Sequence, residues 1–342
     1  MNQAQPETIW DMKEKELLAL LDSGTLTSRT REIRFYAPSF MCYKTSYYHS
    51  SSTFFPTISI TGTECALNCK HCGRLVLETM YPAKSPEQLF ELCAQLKAKG
   101  AHGCLISGGC MPDGSVPLGA FINSITDIKR ELGLTVVVHT GVIDKATAEA
   151  LACAKVDSAL LDIIGSNRTI RKICKLDVKV DAYASSMRAL QESGVPFVPH
   201  LIVGLHYGKL EGEFDALRMI QKYSPSALVI IAFMPIHGTE METVEPPNPL
   251  AITKVVAVAR AMFNETPLVL GCMRPKGKHR VETDIMAIKA GVDAIAFPAE
   301  DAISFAQRAG RNLIFSSTCC SQIYADLAGT SRFGIQSRKG FG

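Results

Sequence analysis

Short apolar runs alternate with amphipathic stretches along most of this chain. From Phe55 onward, runs rich in β-branched residues predict strands, and apolar residues at helical spacing between these runs predict helices. The predicted strands cover residues 57–60, 103–106, 134–138, 158–162, 196–202, 227–233, 267–271 and 293–297. The predicted helices cover residues 86–99, 118–132, 145–154, 183–193, 213–222, 249–263 and 281–290. This alternation indicates an α/β fold, namely a parallel (β/α)8 barrel of the TIM type.

The positions of four glycines support the prediction of a barrel. Gly100, Gly133, Gly194 and Gly291 stand just before predicted strands, where helices commonly end on a glycine in the left-handed conformation. An open, doubly wound sheet is the alternative, but the sequence lacks the G-x-G-x-x-G turn of its dinucleotide-binding form. The pattern therefore favours a barrel over an open sheet.

The pattern changes at both ends of the chain. Residues 1–54 predict an amphipathic helix followed by an aromatic-rich leader that covers the fold. Residues 55–300 predict the barrel, and residues 301–342 predict a helix and a tail that carries two adjacent cysteines. We therefore expect a barrel with an N-terminal leader and a C-terminal cysteine-bearing segment.

Composition narrows the class of protein. Of the 342 residues, 47% are hydrophobic and 20% charged, so the chain can bury a large core. The net charge of +3 favours no nucleic-acid partner, and the apolar runs are too short to span a membrane. Because the first residues lack the apolar region of a signal peptide, we expect a cytoplasmic protein. The twelve cysteines then indicate thiolate chemistry rather than disulfides.

Three cysteines stand in the loop after the first predicted strand. Cys65, Cys69 and Cys72 have the spacing C-x3-C-x2-C. Thiolates are soft ligands, and closely spaced sets of them suit iron–sulfur clusters or zinc. A four-iron cluster has four corners, so this loop would leave one iron open to a ligand that is not protein. The alternatives are a zinc knuckle with a distant fourth ligand, or reduced cysteines of the core.

Polar and glycine-rich residues follow other predicted strands, where the active site of a parallel barrel lies. Gly108-Gly109 follows the second strand and lets a ligand approach the backbone closely, although such a pair is also common in ordinary turns. His139 follows the third strand. Asp162 ends the fourth strand, where it could hold a ligand or cap the next helix.

Other cysteines predict a second cluster. Such a cluster needs about four cysteine ligands. The best set outside the first loop is Cys42, Cys272, Cys319 and Cys320, with Cys110 in reserve. The alternative is a mixture of core thiols and one zinc or persulfide site. The other four cysteines, Cys93, Cys104, Cys153 and Cys174, lie in helical runs or in a predicted strand and are expected to be buried.

Cations follow Cys272. The loop that contains Arg274, Lys276 and Lys278, with His279 and Arg280 after it, forms a basic run. This run could bind a carboxylate, a pyrophosphate or the acidic surface of a carrier protein. The alternative is an ordinary solvated loop.

The loop of Cys65, Cys69 and Cys72 resembles that of the radical S-adenosylmethionine (SAM) superfamily. In that superfamily this spacing holds a 4Fe-4S cluster, and SAM chelates the open iron. The resemblance implies that Gly108 and Gly109 bind the amino group of SAM. It also implies that His71 contacts the adenine, although the superfamily usually has an aromatic residue at this position.

Later segments are similar to the biotin synthase group of this superfamily. The segment from His200 to Gly204, which includes Ile202, resembles the strand that flanks the adenine in that group. Residues 235–239 resemble the turn after the group's sixth strand. Asp162, from its place at the end of the fourth strand, could hold the ribose or the substrate, with capping of the next helix as the alternative.

Three short motifs resemble one branch, the archaeal-type lipoyl synthases. These motifs are residues 35–40, residues 271–275 and Cys319-Cys320. The branch implies a 5′-deoxyadenosyl radical that abstracts hydrogen, and an auxiliary 4Fe-4S cluster that donates sulfur to an octanoylated carrier protein. It also implies a second radical SAM subunit and a ferredoxin- or flavodoxin-type reductant. The chain lacks the N-terminal C-x4-C-x5-C set of single-chain lipoyl synthases.

Two other readings stay open. The first is a biotin-synthase-like or mutase-type radical SAM enzyme that acts on a small substrate, which would have no need for Cys319 and Cys320. The second is an iron–sulfur scaffold or electron-transfer protein, which would bind a cluster without cleaving SAM.

Overall fold

A computed structural model describes residues 5–330 and 336–337 of the chain. The strands are β1 Glu32–Tyr36, β2 Thr57–Ser59, β3 Tyr81–Pro82, β4 Gly103–Ser107, β5 Thr135–His139, β6 Ser158–Ile163, β7 Phe197–Val203, β8 Leu228–Ala232, β9 Leu268–Leu270, β10 Ala294–Ala296, β11 Asn312–Ser316 and β12 Gln336–Ser337. The helices are α1 Pro6–Asp11, α2 Glu14–Asp22, α3 Pro86–Ala98, α4 Ile122–Asp127, α5 Lys145–Cys153, α6 Asn167–Ile173, α7 Val180–Ser193, α8 Glu213–Ile220, α9 Pro249–Met262, α10 Lys278–Lys289, α11 Glu300–Arg308 and α12 Ile323–Leu327. Short 3₁₀ helices cover Leu75–Thr79, Leu118–Phe121 and Cys320–Gln322, and a π-helical turn covers Ile128–Leu132.

The strands form one curled sheet. Its order is β12-β11-β1-β10-β9-β8-β7-β6-β5-β4-β2-β3, and every neighbouring pair is parallel except β11 and β12. Across the opening of the curl, the N–H of Ser39 donates to the carbonyl of Phe55 at 3.2 Å, and the N–H of Phe55 donates to Ser39 Oγ at 2.8 Å. The predicted α/β fold of the TIM-barrel type is confirmed.

Both ends of the chain add strands to this sheet. β1 lies between β10 and β11, with Tyr36 opposite Ala296 on one side and Ser316 on the other. The sequence pattern predicted a covering leader here and missed this strand. The boundaries at residues 54 and 300 stay predictions, but the segments on either side of them share one sheet.

Successive side chains of each strand point to opposite faces of the sheet, and this alternation gives two apolar layers. Val136 and Val138 of β5 pack toward the surrounding helices, whereas Val137 points into the barrel. The inner layer includes Leu160, Val198, Val229, Val269 and Phe297. A parallel sheet that is covered on both faces needs such continuous apolar strands. In the described part of the chain, none of the helices has the length and hydrophobicity that crossing a bilayer requires.

The tail plugs the barrel at the start of β6. Gln322 Nε2 donates to Ser158 Oγ at 3.0 Å, and the Tyr324 hydroxyl donates to the carbonyl of Asp157. At the other side of the plug, the Tyr36 hydroxyl donates to Asp326 Oδ2 at 2.6 Å. These contacts carry the adjacent Cys319-Cys320 pair into the barrel interior.

The basic loop after β9 is held by a buried ion pair. Arg274 Nε donates to Asp284 Oδ1 at 2.7 Å and Nη2 donates to Oδ2 at 2.9 Å, and both side chains are fully buried. Arg274 also donates to the carbonyls of Gly271, Ala296 and Phe297. The suggestion that Arg274 belongs to a ligand-binding surface is therefore wrong, because its donors are used inside the fold. Lys276 and Lys278 are exposed.

Replacing Asp284 by alanine is expected to lower the free energy of unfolding by about 3–5 kcal/mol, because Arg274 would stay buried without its partner. Urea unfolding followed by circular dichroism measures this change. The control is Asp22→Ala, which breaks the partly exposed pair with Lys289 and should cost about 0–1 kcal/mol. Equal losses in the two variants would contradict a structural role for the Arg274 pair.

Candidate functional site

A cavity of about 400 Å³ lies at the carboxyl ends of the barrel strands. Most of the residues around it are apolar. The candidate residues in its lining are Cys65, Cys69, His71, Cys72, Gly108, Gly109, Cys110, His139, Asp162 and Ile202. The structure thus brings all the predicted SAM-site residues to one cavity except His200, which is not part of the lining.

The cysteine loop wraps one end of the cavity. The N–H of Gly73 donates to the carbonyl of Cys69 at 2.8 Å, which closes a turn between the second and third cysteines. The Sγ atoms of Cys69 and Cys72 and a ring nitrogen of His71 lie within 4.8 Å of one another. Cys65 faces the same cavity beside Cys110. In a four-iron cluster each cysteine binds a different iron, so Cys65 need not contact Cys69 or Cys72. The arrangement of the three thiols therefore suits a cluster.

The thiols of this loop interact directly. A hydrogen bond from the Cys110 thiol lowers the pKa of Cys65 to about 5, although burial opposes the shift. A hydrogen bond with Cys69, together with burial, raises the pKa of Cys72 to about 12. Bound iron would hold all three as thiolates.

The donor set fits a 4Fe-4S cluster with one open iron. Three soft sulfur ligands come from one loop, and the cavity beside them leaves space for a fourth ligand. Nδ1 of His71 is buried without a hydrogen-bond partner among the described residues. A buried polar atom without a partner is costly, so this nitrogen points to a polar ligand in the cavity.

The glycine pair packs tightly against the cysteine loop. A Cβ atom on Gly109 would lie 2.0 Å from the carbonyl oxygen of Glu64 and 2.6 Å from Cys65 Cβ. The N–H of Gly109 donates to Thr61 Oγ1 at 2.7 Å. Only glycine fits here, and this need for close packing accounts for Gly109 by itself. The binding of the SAM amino group by this pair stays a prediction.

An ion pair lies on the cavity wall. His139 Nε2 is 3.6 Å from Asp162 Oδ1, and the two side chains are 26% and 39% exposed. Burial disfavours the charged imidazole, but the attraction of the Asp162 carboxylate and the hydrogen bond that this carboxylate accepts outweigh it and raise the pKa of His139. Likewise, burial opposes the charge of Asp162, but His139 outweighs it and lowers the pKa of the carboxyl. The apolar cavity wall therefore contains an imidazole and a carboxylate, each of which favours the charged form of the other.

His200 lies behind this pair. Its ring centroid is 6.4 Å from that of His139, and its Nδ1 is 3.1 Å from the carbonyl oxygen of Val198. Burial lowers the pKa of His200 to about 4, so the ring is neutral at physiological pH. The sequence pattern predicted that His139 lies at this rim but did not predict its pairing with Asp162. That pairing depends on the register of two adjacent strands, which the sequence pattern does not report.

Three of the four predicted auxiliary ligands lie in the barrel interior. Cys272, Cys319 and Cys320 all pack in the inner apolar layer. A hydrogen bond from the Cys320 thiol lowers the pKa of Cys319 to about 7, against burial, and Ser321 Oγ donates to Cys319 Sγ at 3.1 Å. Burial, with the nearby charge of Cys319, raises the pKa of Cys272 to about 11. Cys42 is exposed, and its assignment as a ligand stays a prediction.

The remaining cysteines divide into two groups. Cys93 and Cys104 are buried in the outer core, as predicted. Cys174 is buried too, but it also lines the cavity, and its carbonyl accepts a hydrogen bond from Cys69 Sγ at 3.2 Å. The prediction of burial is wrong for Cys153, which is exposed at the end of α5.

Comparisons with known proteins agree with this site. The family profile of the Radical SAM superfamily matches residues 59–218. The chain is 23% identical over 199 residues to 3-methylornithine synthase from Methanosarcina acetivorans, which covers 58% of this chain and 55% of that protein. It is 23% identical over 253 residues to biotin synthase from Synechococcus sp. (strain RCC307), which covers 70% and 75%. The chain thus spans about half the length of the first of these relatives.

Solved structures share the fold. HydG, a maturase of the FeFe-hydrogenase, superposes with a TM-score of 0.65 at 14% identity, over 95% of this chain and 75% of HydG. Methylornithine synthase (PylB) superposes with a TM-score of 0.61 at 16% identity, over 95% of both chains. The C-x3-C-x2-C loop therefore lies on the rim of a curled parallel sheet, within the part of the chain that matches the Radical SAM superfamily, and the chain is similar to biotin synthase and methylornithine synthase.

Proposed function

We propose that this chain is a radical SAM enzyme that inserts sulfur, and that it acts as a lipoyl synthase on an octanoylated carrier protein. The observation that supports this most is the position of Cys272, Cys319 and Cys320. These thiols gather inside the barrel, beyond the floor of the cavity that the first cysteine loop lines. An enzyme that only cleaves SAM would have no need of a second set.

Cys65, Cys69 and Cys72 would hold the 4Fe-4S cluster. When bound with SAM, this cluster supplies a 5′-deoxyadenosyl radical, which can take hydrogen from an unactivated carbon. Gly108 and Gly109 would present their backbone to the amino group of SAM.

Apolar side chains form the floor of the cavity. Leu105, Ile202 and Met273 line the cavity and also pack against the inner layer that contains Cys272 and Cys319. An octanoyl chain is apolar, so it would lie against these side chains and exclude water from the reacting carbon. Holding one carbon close to the radical is what gives such a reaction its selectivity.

Cys272, Cys319 and Cys320 would hold the sulfur donor, a second 4Fe-4S cluster, on the far side of this floor. Cys42 is the candidate for the fourth ligand. Lys276 and Lys278 are the exposed cations that remain for an acidic carrier protein. A second radical SAM subunit and a ferredoxin- or flavodoxin-type reductant complete the proposed system.

One observation favours a second candidate. The His139–Asp162 pair places an imidazole and a carboxylate in the cavity wall, and these polar groups suit a polar substrate better than an alkyl chain. The related biotin and methylornithine synthases are named for small-molecule products. A mutase-type or biotin-synthase-like reaction on a small polar substrate is therefore the alternative enzyme function.

A coupled assay separates these functions. The anaerobically reconstituted chain is incubated with SAM, a low-potential reductant and an octanoylated lipoyl-domain peptide, with the unmodified peptide as control. Lipoyl synthesis predicts 5′-deoxyadenosine that depends on the octanoyl group, together with a peptide whose mass rises by inserted sulfur. If deoxyadenosine forms at equal rates with both peptides and no sulfur enters, the small-substrate function is favoured. If the cluster is present and no SAM is cleaved, an iron–sulfur scaffold is favoured.

A further inference from the structure

Two thiols beyond the C-x3-C-x2-C loop face the cavity. They belong to Cys110 and Cys174. Cys110 follows the glycine pair directly, on the loop that faces the amino-acid end of SAM in the expected binding mode. A thiol at this point would be available to the iron that the three cysteines of the loop would leave without a protein ligand.

Backbone contacts fix Cys110 against Cys65. The N–H of Ala66 donates to the carbonyl of Cys110 at 2.8 Å. Thr61 Oγ1 donates to the carbonyl of Glu64 at 2.9 Å and accepts from the N–H of Gly109. Because a Cβ on Gly109 would collide with the Cys65 residue, the two loops touch backbone to backbone. These contacts therefore hold the backbone of Cys110 beside the loop of Cys65, Cys69 and Cys72.

The side chains of the two residues also share the cavity. Cys110 lines it together with Cys65, which would be a ligand of the cluster. A second observation also indicates a ligand in this cavity, because Nδ1 of His71 is buried there without a partner among the described residues. Cys174 is a weaker candidate, since the contact recorded for it is a hydrogen bond from Cys69 Sγ to its backbone carbonyl.

We propose that Cys110 is the fourth protein ligand of the cluster in the SAM-free enzyme, and that SAM displaces it. In this exchange the bond between iron and Cys110 sulfur breaks, and the thiolate keeps the electron pair. The amino nitrogen and carboxylate oxygen of SAM bind the iron, and no electron is transferred. The ammonium group of SAM must lose a proton to bind, and the released thiolate accepts one, so protons also balance.

A fourth thiolate would protect the open iron before substrate arrives. Cluster iron that lacks a protein ligand is the one most easily lost on oxidation. The inference depends on the cysteine loop holding a cluster and does not depend on which substrate the enzyme uses.

The first test measures loss of this iron. SAM-free, reconstituted wild type and the variants Cys110→Ala, Cys110→Ser and Cys153→Ala are oxidised with ferricyanide, and three-iron clusters are counted by electron paramagnetic resonance. The signal of the variant that lacks all three loop cysteines is subtracted to remove any other cluster. We expect several-fold faster conversion in both Cys110 variants, wild-type behaviour in Cys153→Ala, and no difference once SAM is bound. Equal rates without SAM would overturn the proposal.

The second test measures SAM affinity by equilibrium binding to the unreduced enzyme. If the four-cysteine form makes up about 90% of the SAM-free protein, removing Cys110 lowers the apparent Kd for SAM about tenfold. An unchanged or weaker affinity contradicts displacement. Cys110→Ser keeps the size of the side chain and guards against a folding defect in Cys110→Ala. Loss of the cluster in both variants would overturn an exchangeable role, because it would make Cys110 obligatory.

Discussion

Replacing Cys65, Cys69 and Cys72 together by alanine is expected to lower the iron content from about eight to about four atoms per chain, because each 4Fe-4S cluster is held by cysteine thiolates. SAM binding and the formation of 5′-deoxyadenosine should disappear with the first cluster. The measurement is iron and acid-labile sulfide per chain after anaerobic reconstitution, with wild type and variant treated side by side. The remaining iron would belong to the site of Cys272, Cys319 and Cys320.

Other outcomes of this experiment have distinct meanings. A fall from about four irons to none would show a single cluster, and the second set of cysteines would then need another role. Zinc at about one atom per chain in place of iron would favour the zinc knuckle. Unchanged iron would contradict a cluster on this loop. The control is Cys153→Ala, since Cys153 is exposed on α5 and should leave the metal content unchanged.

Sequence pattern was sufficient for the repeating part of the fold. Eight apolar runs, each followed by a helical stretch, predicted the strands from β2 to β10, apart from the two-residue β3. β1 was missed because its charged Glu32 and Arg34 interrupt the apolar pattern. Its strand conformation depends on pairing with β10 and β11, which are about 260 and 280 residues later in the chain.

Contacts across the fold were harder to predict than the ligand loop. Cys65, Cys69 and Cys72 lie close in sequence, so their spacing alone indicated a shared site. The pairing of His139 with Asp162 depends on the register of β5 and β6, and no local pattern reports it. The burial of Arg274 could not be predicted for the same reason. A cation in a lysine-rich loop is expected to be solvated, and only the structure shows its buried partner Asp284 on α10.

The tail shows why position can carry more information than residue type. Two adjacent cysteines near a C-terminus predict little by themselves. In the structure, the hydrogen bonds of Gln322 and Tyr324 anchor the tail at the start of β6. Cys320 is consequently 4% exposed within the inner layer, near Cys272 and Cys319. The proposed sulfur site therefore depends on the hydrogen bonds that anchor the tail as much as on the cysteines.

Replacing Cys319 and Cys320 together by alanine is expected to abolish sulfur insertion while leaving SAM cleavage in place. The sulfur-containing peptide should fall to about one hundredth of the wild-type yield or less, because a cluster without two of its cysteine ligands is no longer held. Octanoyl-dependent 5′-deoxyadenosine should still form, since the loop at Cys65 is untouched. Iron should fall by about four atoms per chain, as loss of one cysteine-ligated cluster requires.

The matched control is Cys93→Ala/Cys104→Ala. This pair is also buried, and the two thiols also contact each other, but they lie in the outer core away from the cavity. Both double variants lose two thiols from well-packed sites, so general destabilisation should affect them alike. If both double variants lose sulfur insertion equally, the loss is due to disturbed packing and not to removal of cluster ligands. If only Cys319→Ala/Cys320→Ala loses it, with the iron of one cluster, the sulfur donor lies at the tail. If that variant still makes the sulfur-containing product, the sulfur comes from elsewhere, and the small-substrate function becomes the better explanation of the cavity with its His139–Asp162 pair.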